Sequence, residues 1–206
     1  MKRKVNIMKD LRLGEVLDQV DSRSATPGGG SVAAVVGEFG LCLARMYAHL
    51  SIHKKAFGQL DELKQQRFVK VHQRLAENRQ EMERLALEDM EAYKKVSEAY
   101  RNKQGIDESL EGALAVPCRL CILAYQSMKD ITEILDDGNP NALSDALSGL
   151  SLLYAAIECS YLNIVINARC LHLNVDDERV GEMRKLMKEA AKLKQKHLFC
   201  FYGDFM

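Results

Sequence analysis

Asp89 is the residue of this sequence whose type and setting best suit acid–base chemistry. It lies in a segment, residues 60–100, that contains neither Gly nor Pro and whose apolar residues follow a heptad pattern. In this register Asp89 falls between Leu85 and Ala92 on the seam that faces other helices. Burial disfavours a charged carboxylate, so we expect a raised pKa for Asp89, as a general acid requires. The alternative is a structural role, in which Asp89 pairs with a basic residue across the bundle or borders the core.

A second candidate site is the loop of Gly28, Gly29, Gly30 and Ser31, which follows Pro27 and leads into an apolar helical pattern. Unpaired amides and the dipole at a helix N-terminus favour an anion, and glycine lets a ligand approach the backbone. A carboxylate or a phosphate would fit there. The loop is not a P-loop, because no Gly-Lys-Ser/Thr follows at the required spacing. The alternative is a flexible turn between two helices.

Five further polar residues are candidates for ligand binding. Asn163 and Asn167 are spaced to share one face of an otherwise apolar helix, and Asp145 stands at its start, so a pocket there could recognise a polar heterocycle. The alternative is a buried amide network. Lys54 and Lys55 follow an apolar helix, where they either complement its dipole or hold a ligand carboxylate.

Metal binding is not predicted. His49 and His53 are spaced to share a helix face, and Cys118 and Cys121 form a C-x-x-C pair, but neither pair has obvious further ligands in the sequence. The cysteines occur mostly within apolar helical patterns, which favours reduced, packed thiols over a disulfide framework. The six cysteines are Cys42, Cys118, Cys121, Cys159, Cys170 and Cys200.

The elements that must position these residues are helices. Apolar spacing is helical almost throughout, and hairpin signals are missing, so we predict an all-α helical bundle with one long central helix and a single domain, residues 1–206. Gly37 and Gly40 predict close backbone approach by the helix that carries them. Asp107, and Ser144 or Asp145, are expected to cap helices. The predicted helices are residues 11–22, 31–52, 60–100, 107–136 with a kink at Pro117, 144–173 and 176–197.

Composition excludes several classes of function. The chain has 206 residues, with 29 basic and 29 acidic side chains. Zero net charge provides no electrostatic footprint for nucleic acid. No apolar stretch of signal-peptide length follows the basic residues 1–5, and residues 142–168 carry too many polar side chains for a clean membrane span. We therefore expect a cytoplasmic protein that binds neither nucleic acid nor membranes.

The candidate residues fall within motifs that follow one another along nearly the whole chain. They are TPGGGSVAA at 26–34, KK at 54–55, DMEAY at 89–93, VP at 116–117, GNPNA at 138–142 followed by Ser144 and Asp145, and NIVIN at 163–167. In this order they resemble the cyclodeaminase/cyclohydrolase family of folate enzymes. That family includes the C-terminal domain of formiminotransferase-cyclodeaminase and free-standing methenyltetrahydrofolate cyclohydrolases.

This resemblance implies an all-helical homodimer with its active site near the subunit boundary and a one-carbon tetrahydrofolate as substrate. It implies neither a metal nor a nucleotide cofactor. The proton-donating aspartate of the family falls on Asp89. The folate site of the family falls on the glycine loop and on Lys54 and Lys55, and further polar positions of the family match Asn139, Asp145, Asn163 and Asn167.

The chain departs from the family pattern at Tyr93, where Phe is usual, at His53, where Gly is common, and at Cys159 and Ser160, where Gly-Ala is common. These differences bear on pocket shape and substrate choice. Because the chain has no room for a formiminotransferase domain, we expect a methenyltetrahydrofolate cyclohydrolase. The alternatives are a formiminotetrahydrofolate cyclodeaminase and a folate-binding protein without activity.

Overall fold

The computed structural model describes residues 12–174 and 176–203, and these residues form helices and turns without a β-strand. The predicted all-α bundle with one long helix is confirmed. The basic residues 1–5 lie outside the described residues. The helices are α1, Leu13–Val20; α2, Gly29–Ile52; α3, Glu62–Asn102; α4, Ile106–Thr132; α5, Leu143–Cys170; and α6, Glu178–Tyr202.

The helix caps differ from those predicted. Helix α4 begins after Gly105, which adopts a left-handed conformation with φ of 65°, so Asp107 lies within the first turn and is not the cap. Helix α5 is preceded directly by a short 3-10 turn, Pro140–Ala142, in which the Asn139 side chain accepts a hydrogen bond from the Asn141 amide. Because this turn continues into α5, Ser144 and Asp145 are also helical residues and not caps.

Helices α2 and α5 run antiparallel and touch through their backbones at Gly40 and Gly149. A Cβ atom added at Gly40 would lie 2.9 Å from the Gly149 carbonyl oxygen, and one added at Gly149 would lie 2.7 Å from the Gly40 carbonyl oxygen. Gly37 lies beside the Met82 and Ala156 side chains. The predicted close approach at Gly37 and Gly40 is confirmed, and it fixes how α5 is placed along α2.

Helix α3 packs its heptad seam mainly against α2 and α4. Five seam residues are fully buried or nearly so, and Asn78, on the same seam, donates a hydrogen bond of 3.0 Å to the Ser127 hydroxyl of α4. Farther along, Ala92 and Val96 are only half-buried. The fully packed part of the seam comprises Phe68, Val71, Leu75, Met82 and Leu85.

Two helical segments, Gly29–Ile52 and Pro140–Cys170, are long and apolar enough to cross a membrane by length and composition alone. The second contains the segment that the sequence analysis judged too polar for a clean span. The two segments pack against each other in the middle of the bundle. Core helices of soluble proteins have the same length and composition, so this property is weak support for a membrane span.

The far end of α2 is tied to the turn after α4 by a buried tyrosine. The Tyr47 side chain is fully buried, and its hydroxyl donates to the carbonyl oxygens of Ile134, at 3.0 Å, and Leu135, at 2.8 Å. Burial raises the pKa of Tyr47 to about 12. The Ser51 hydroxyl donates to the Tyr47 carbonyl oxygen and accepts from the Asn139 amide. This network positions Asn139 beside the last turn of α2.

We predict that Tyr47→Phe lowers the free energy of unfolding by about 1–3 kcal/mol, because two buried carbonyl groups lose their donor. Urea denaturation measures the change. Tyr125→Phe is the matched control, since the Tyr125 hydroxyl donates to the surface carboxylate of Glu189 and its loss costs less. Equal effects of the two substitutions would contradict the importance of the buried network.

Candidate functional site

The Asp89 side chain points from α3 to the first turn of α2. Its carboxylate oxygen Oδ2 accepts a hydrogen bond of 2.8 Å from the Ser31 hydroxyl, and the Ser31 backbone amide also contributes. Burial raises the pKa of Asp89, and the hydrogen bonds from Ser31 partly offset this increase because they stabilise the charged form. The predicted inward orientation is confirmed. Within the described residues the carboxylate is held by a serine and not by a basic residue.

Glycine is needed at position 30 because the Asp89 carboxyl lies directly against the backbone. A Cβ atom at Gly30 would lie 2.1 Å from Asp89 Oδ1. A Cβ atom at Gly29 would lie 3.5 Å from the side-chain nitrogen of Asn163, an ordinary contact, and one at Gly28 would lie 3.1 Å from the Ala25 carbonyl oxygen. The start of α2 therefore lies between Asp89 of α3 and Asn163 of α5.

Three backbone amides at this helix start, those of Gly29, Gly30 and Ser31, have no acceptor within α2. The first helical hydrogen bond runs from the Val32 amide to the Gly28 carbonyl oxygen, at 2.9 Å, and Gly28 provides no capping side chain. The Ser31 amide bonds to Asp89, Gly30 lies against the Asp89 carboxyl, and Gly29 lies beside the Asn163 side chain. Amides at a helix N-terminus stabilise negative charge, so this arrangement can support an oxygen atom that becomes anionic during a reaction.

The two asparagines of α5 have different surroundings. Asn163 donates its side-chain amide to the Cys159 carbonyl oxygen of its own helix, at 2.8 Å, and contacts Gly29. Asn167 donates to the Ala113 carbonyl oxygen of α4, at 2.9 Å. Asn163 therefore lies in the group around Asp89, whereas Asn167 links two helices, as the alternative of an amide network predicts.

The remaining predicted site residues lie at the other end of α2. Lys54, Lys55 and Asn139 line a cavity of about 390 Å³ together with Ser51 and Phe57. Helix α2 has 24 residues and is about 36 Å long, so this cavity and the Asp89 group are at opposite ends of it. One subunit does not bring the two groups together.

Asp145 also lies far from Asn163. The two residues are 18 positions apart on α5, which corresponds to about 27 Å along the helix axis. The single pocket that the sequence analysis placed between Asp145, Asn163 and Asn167 is therefore not formed within one subunit. Asp145 instead follows the turn that carries Asn139.

The cavity at Lys54 and Lys55 has a charge suited to an anion. Both lysines are exposed, and they follow the C-terminus of α2. Asp137 also lines this cavity, but its carboxylate is paired with Lys64 at 2.6 Å. The pairing neutralises the acidic wall and leaves the two lysines to set the local charge. Sequence reasoning missed Ser51 and Phe57 here, and neither residue belongs to a recognisable motif.

A larger cavity, of about 580 Å³, separates the last turns of α3 from the first turns of α4. Carboxylates dominate its walls, and Lys95 and Arg119 are its basic residues. Its negative charge disfavours an anionic ligand such as a glutamate tail. The acidic lining residues are Glu88, Glu91, Glu98 and Glu108.

The histidine and cysteine pairs show no metal site in the described part of the chain, where no group of three or more potential ligands is arranged to hold an ion. The Nε2 atoms of His49 and His72 are 3.0 Å apart. Burial raises the pKa of Cys118 to about 11 and that of Cys121 to about 12, so both thiols stay protonated at neutral pH.

Comparison with known proteins shows that this chain is similar in sequence to folate enzymes. A methenyltetrahydrofolate cyclohydrolase from Methylorubrum extorquens is 31% identical over 197 residues, covering 87% of this chain and 90% of that protein. The formimidoyltransferase-cyclodeaminase of Gallus gallus is 29% identical over 178 residues, covering 81% of this chain and 31% of that longer protein.

The fold agrees with these relatives. The crystal structure of a formiminotetrahydrofolate cyclodeaminase from Thermotoga maritima matches with a TM-score of 0.80 and 27% sequence identity, covering 92% of this chain and 96% of the other. The family model described as formiminotransferase-cyclodeaminase matches residues 12–189. This protein, in which a partly buried acid of α3 lies against the start of α2, therefore belongs to the formiminotransferase-cyclodeaminase family.

Proposed function

We propose that this protein is a methenyltetrahydrofolate cyclohydrolase, which converts 5,10-methenyltetrahydrofolate and water to 10-formyltetrahydrofolate. The observation that carries the proposal is the Asp89 carboxyl, whose pKa is raised by burial and which lies against Gly30 at the uncapped N-terminus of α2. The similarity to the Methylorubrum enzyme over most of both chains supports this choice of reaction.

The chemistry requires one group that moves a proton. Water adds to the methenyl carbon, which bridges N5 and N10, and loses a proton to give a neutral tetrahedral intermediate. The bond between this carbon and N5 then breaks as N5 is protonated, while the hydroxyl loses its proton to become the formyl oxygen. Asp89 in its protonated form supplies the proton to N5, and the amides of Gly29 and Gly30 stabilise negative charge on the oxygen. One proton is released overall, and no electron transfer is needed, so we propose no resident cofactor.

Cyclodeamination is the second candidate, favoured by the close match to the Thermotoga fold. In that reaction N10 of 5-formiminotetrahydrofolate attacks the formimino carbon, and ammonia leaves after its nitrogen is protonated. The same protonated Asp89 would assist this departure. A third possibility, folate binding without turnover, has no separate structural observation in its favour.

We also propose that the protein acts as a homodimer whose subunits complete each other's sites. Helix α2 exposes an apolar stripe in which Phe39 is 51%, Met46 41% and Leu50 44% accessible. Two copies packed antiparallel along this stripe would bring Lys54 and Lys55 of one subunit near Asp89 of the other. The lysines could then hold the glutamate carboxylates of the folate whose reacting carbon lies at Asp89.

We predict that the purified protein accelerates the loss of methenyltetrahydrofolate absorbance at neutral pH and that Asp89→Asn slows this reaction about 10²–10⁴-fold, because the proton donor is lost. Gly30→Ala should cause a comparable loss, since its Cβ displaces the Asp89 carboxyl, whereas Gly29→Ala should retain most activity. Circular dichroism checks that each variant is folded.

Two results would contradict the cyclohydrolase assignment. Wild-type protein that leaves the buffer rate unchanged but releases ammonia from 5-formiminotetrahydrofolate would establish the cyclodeaminase instead. Tight folate binding that is unchanged in Asp89→Asn, in a protein that catalyses neither the cyclohydrolase nor the cyclodeaminase reaction, would indicate a folate-binding protein without activity.

We predict that Ser31→Ala shifts the basic limb of the kcat–pH profile to higher pH. The Ser31 hydroxyl stabilises the ionised form of Asp89, so its removal raises the pKa further and keeps the acid protonated to higher pH. Ser151→Ala is the control, because the Ser151 hydroxyl bonds to the Leu147 carbonyl oxygen of its own helix, about 18 Å along α5 from Asn163. A basic limb that does not move would argue against Asp89 as the titrating acid.

The shared site can be tested with mixed dimers. Asp89→Asn and the double variant Lys54→Ala/Lys55→Ala, each carrying a different affinity tag, are expressed together and purified through both tags. Alone, the lysine variant should show a KM raised about 10- to 100-fold from lost charge-assisted hydrogen bonds. The mixed dimer should regain about half of the wild-type activity, because one of its two composite sites is intact. No recovery in the mixed dimer would indicate sites confined to single subunits.

A further inference from the structure

Helix α3 extends well past the start of α2, which leaves one end of the bundle open beside Asp89. Gly30, in the first turn of α2, contacts Asp89, whereas α3 continues to Asn102. These 13 further residues correspond to about 20 Å of helix. Ala92 and Val96 on this extension are only half-buried, although they continue the seam that is fully packed before Asp89. The seam is therefore less covered just after the acid than before it, although Ala99 farther along is buried again.

The first aromatic side chain on the extension is Tyr93. It follows Asp89 by one helical turn on the same face of α3 and remains 47% exposed. Side chains in an α-helix lean toward the N-terminus, so a residue covers the surface over the turn before its own Cα. The ring of Tyr93 therefore borders the space directly above the Asp89 carboxyl.

Helix α5 presents a similar arrangement on the other side of the α2 start. Ile166 comes three residues after Asn163 and is 57% exposed. Each of the two polar residues beside the glycine loop thus has an exposed apolar side chain one turn farther along its helix. A few polar groups bordered by apolar and aromatic surface are typical of sites that bind planar organic ligands.

We infer that Tyr93 is a substrate-binding residue whose ring packs against the pteridine ring of the folate. This inference rests on the proposed function. N5 belongs to the pteridine ring and must come within reach of Asp89 when its bond to the reacting carbon breaks. The pteridine therefore lies over the turn between residues 89 and 93, where the face of an aromatic side chain can stack on it. The stacking requires the ring of Tyr93 and not its hydroxyl.

The substitutions Tyr93→Leu and Tyr93→Phe separate the contribution of the ring from that of the hydroxyl. Tyr93→Leu should raise KM about 10- to 100-fold, the range expected when an aromatic ring that stacks on a heterocycle is removed. Its kcat should change less than about 3-fold, because Asp89 is untouched. Tyr93→Phe should keep KM within about 3-fold of the wild-type value. Tyr202→Leu, an exposed tyrosine on α6, is the control and should change neither constant.

Direct binding makes the test independent of turnover. Calorimetric titration with 5-formyltetrahydrofolate, a stable folate with the same pteridine, should show the same rise in Kd for Tyr93→Leu and no comparable rise for Tyr93→Phe. If the wild-type protein catalyses neither reaction but Tyr93→Leu still raises the Kd for 5-formyltetrahydrofolate, the proposed function fails and this inference is supported. If KM and Kd of Tyr93→Leu equal the wild-type values, the inference that the Tyr93 ring binds the pteridine is overturned. Dissociation of the Tyr93→Leu dimer during gel filtration would also overturn it, because the ring would then belong to the subunit interface.

Discussion

The contact between Gly40 and Gly149 is the constraint from which the rest of the arrangement follows. With no side chain between them, the backbones of α2 and α5 meet at a single point, and a Cβ atom on either glycine would collide with the opposite carbonyl oxygen. This contact determines which residues of α5 lie beside each end of α2. It places Asn163 next to Gly29 at one end and the turn carrying Asn139 next to Ser51 at the other.

The protonation of the candidate acid is set by two opposing effects. Burial destabilises the charged form of Asp89, and hydrogen bonds from Ser31 stabilise it. The same side chain also satisfies part of the N-terminus of α2, which has no capping residue of its own. The candidate acid therefore also serves as part of a helix cap. Its position is fixed by the fold, while its proton remains exchangeable.

Much of this arrangement is predictable from sequence because helical periodicity is strong and local. The seam of α3 placed Asp89 inward, and the small residues of α2 indicated a close helix contact. Local rules failed at the caps, where a left-handed Gly105 and the Asn139 turn replaced the expected Asp107 and Ser144 or Asp145.

The division of the polar residues into two groups has a different cause. Motif matching shows which residues a family shares but not that they belong to different ends of a helix. The predicted length of α2 alone implied that Lys54 and Lys55 are more than 30 Å from Ser31. Contacts such as Asn167 with Ala113, or Ser51 with Asn139, join residues distant in sequence, and no periodicity encodes them.

The pairing of α2 with α5 has a consequence for how the chain folds. These helices are separated by about 90 residues, between Ile52 and Leu143, so their contact closes a long loop. The hairpin of α3 and α4, joined by a short turn, closes a shorter loop and can form earlier. A folding intermediate with this hairpin alone would contain Asp89 but not the helix end against which it is buried. The pKa of the Asp89 carboxyl is therefore raised only once the start of α2 has packed against α3.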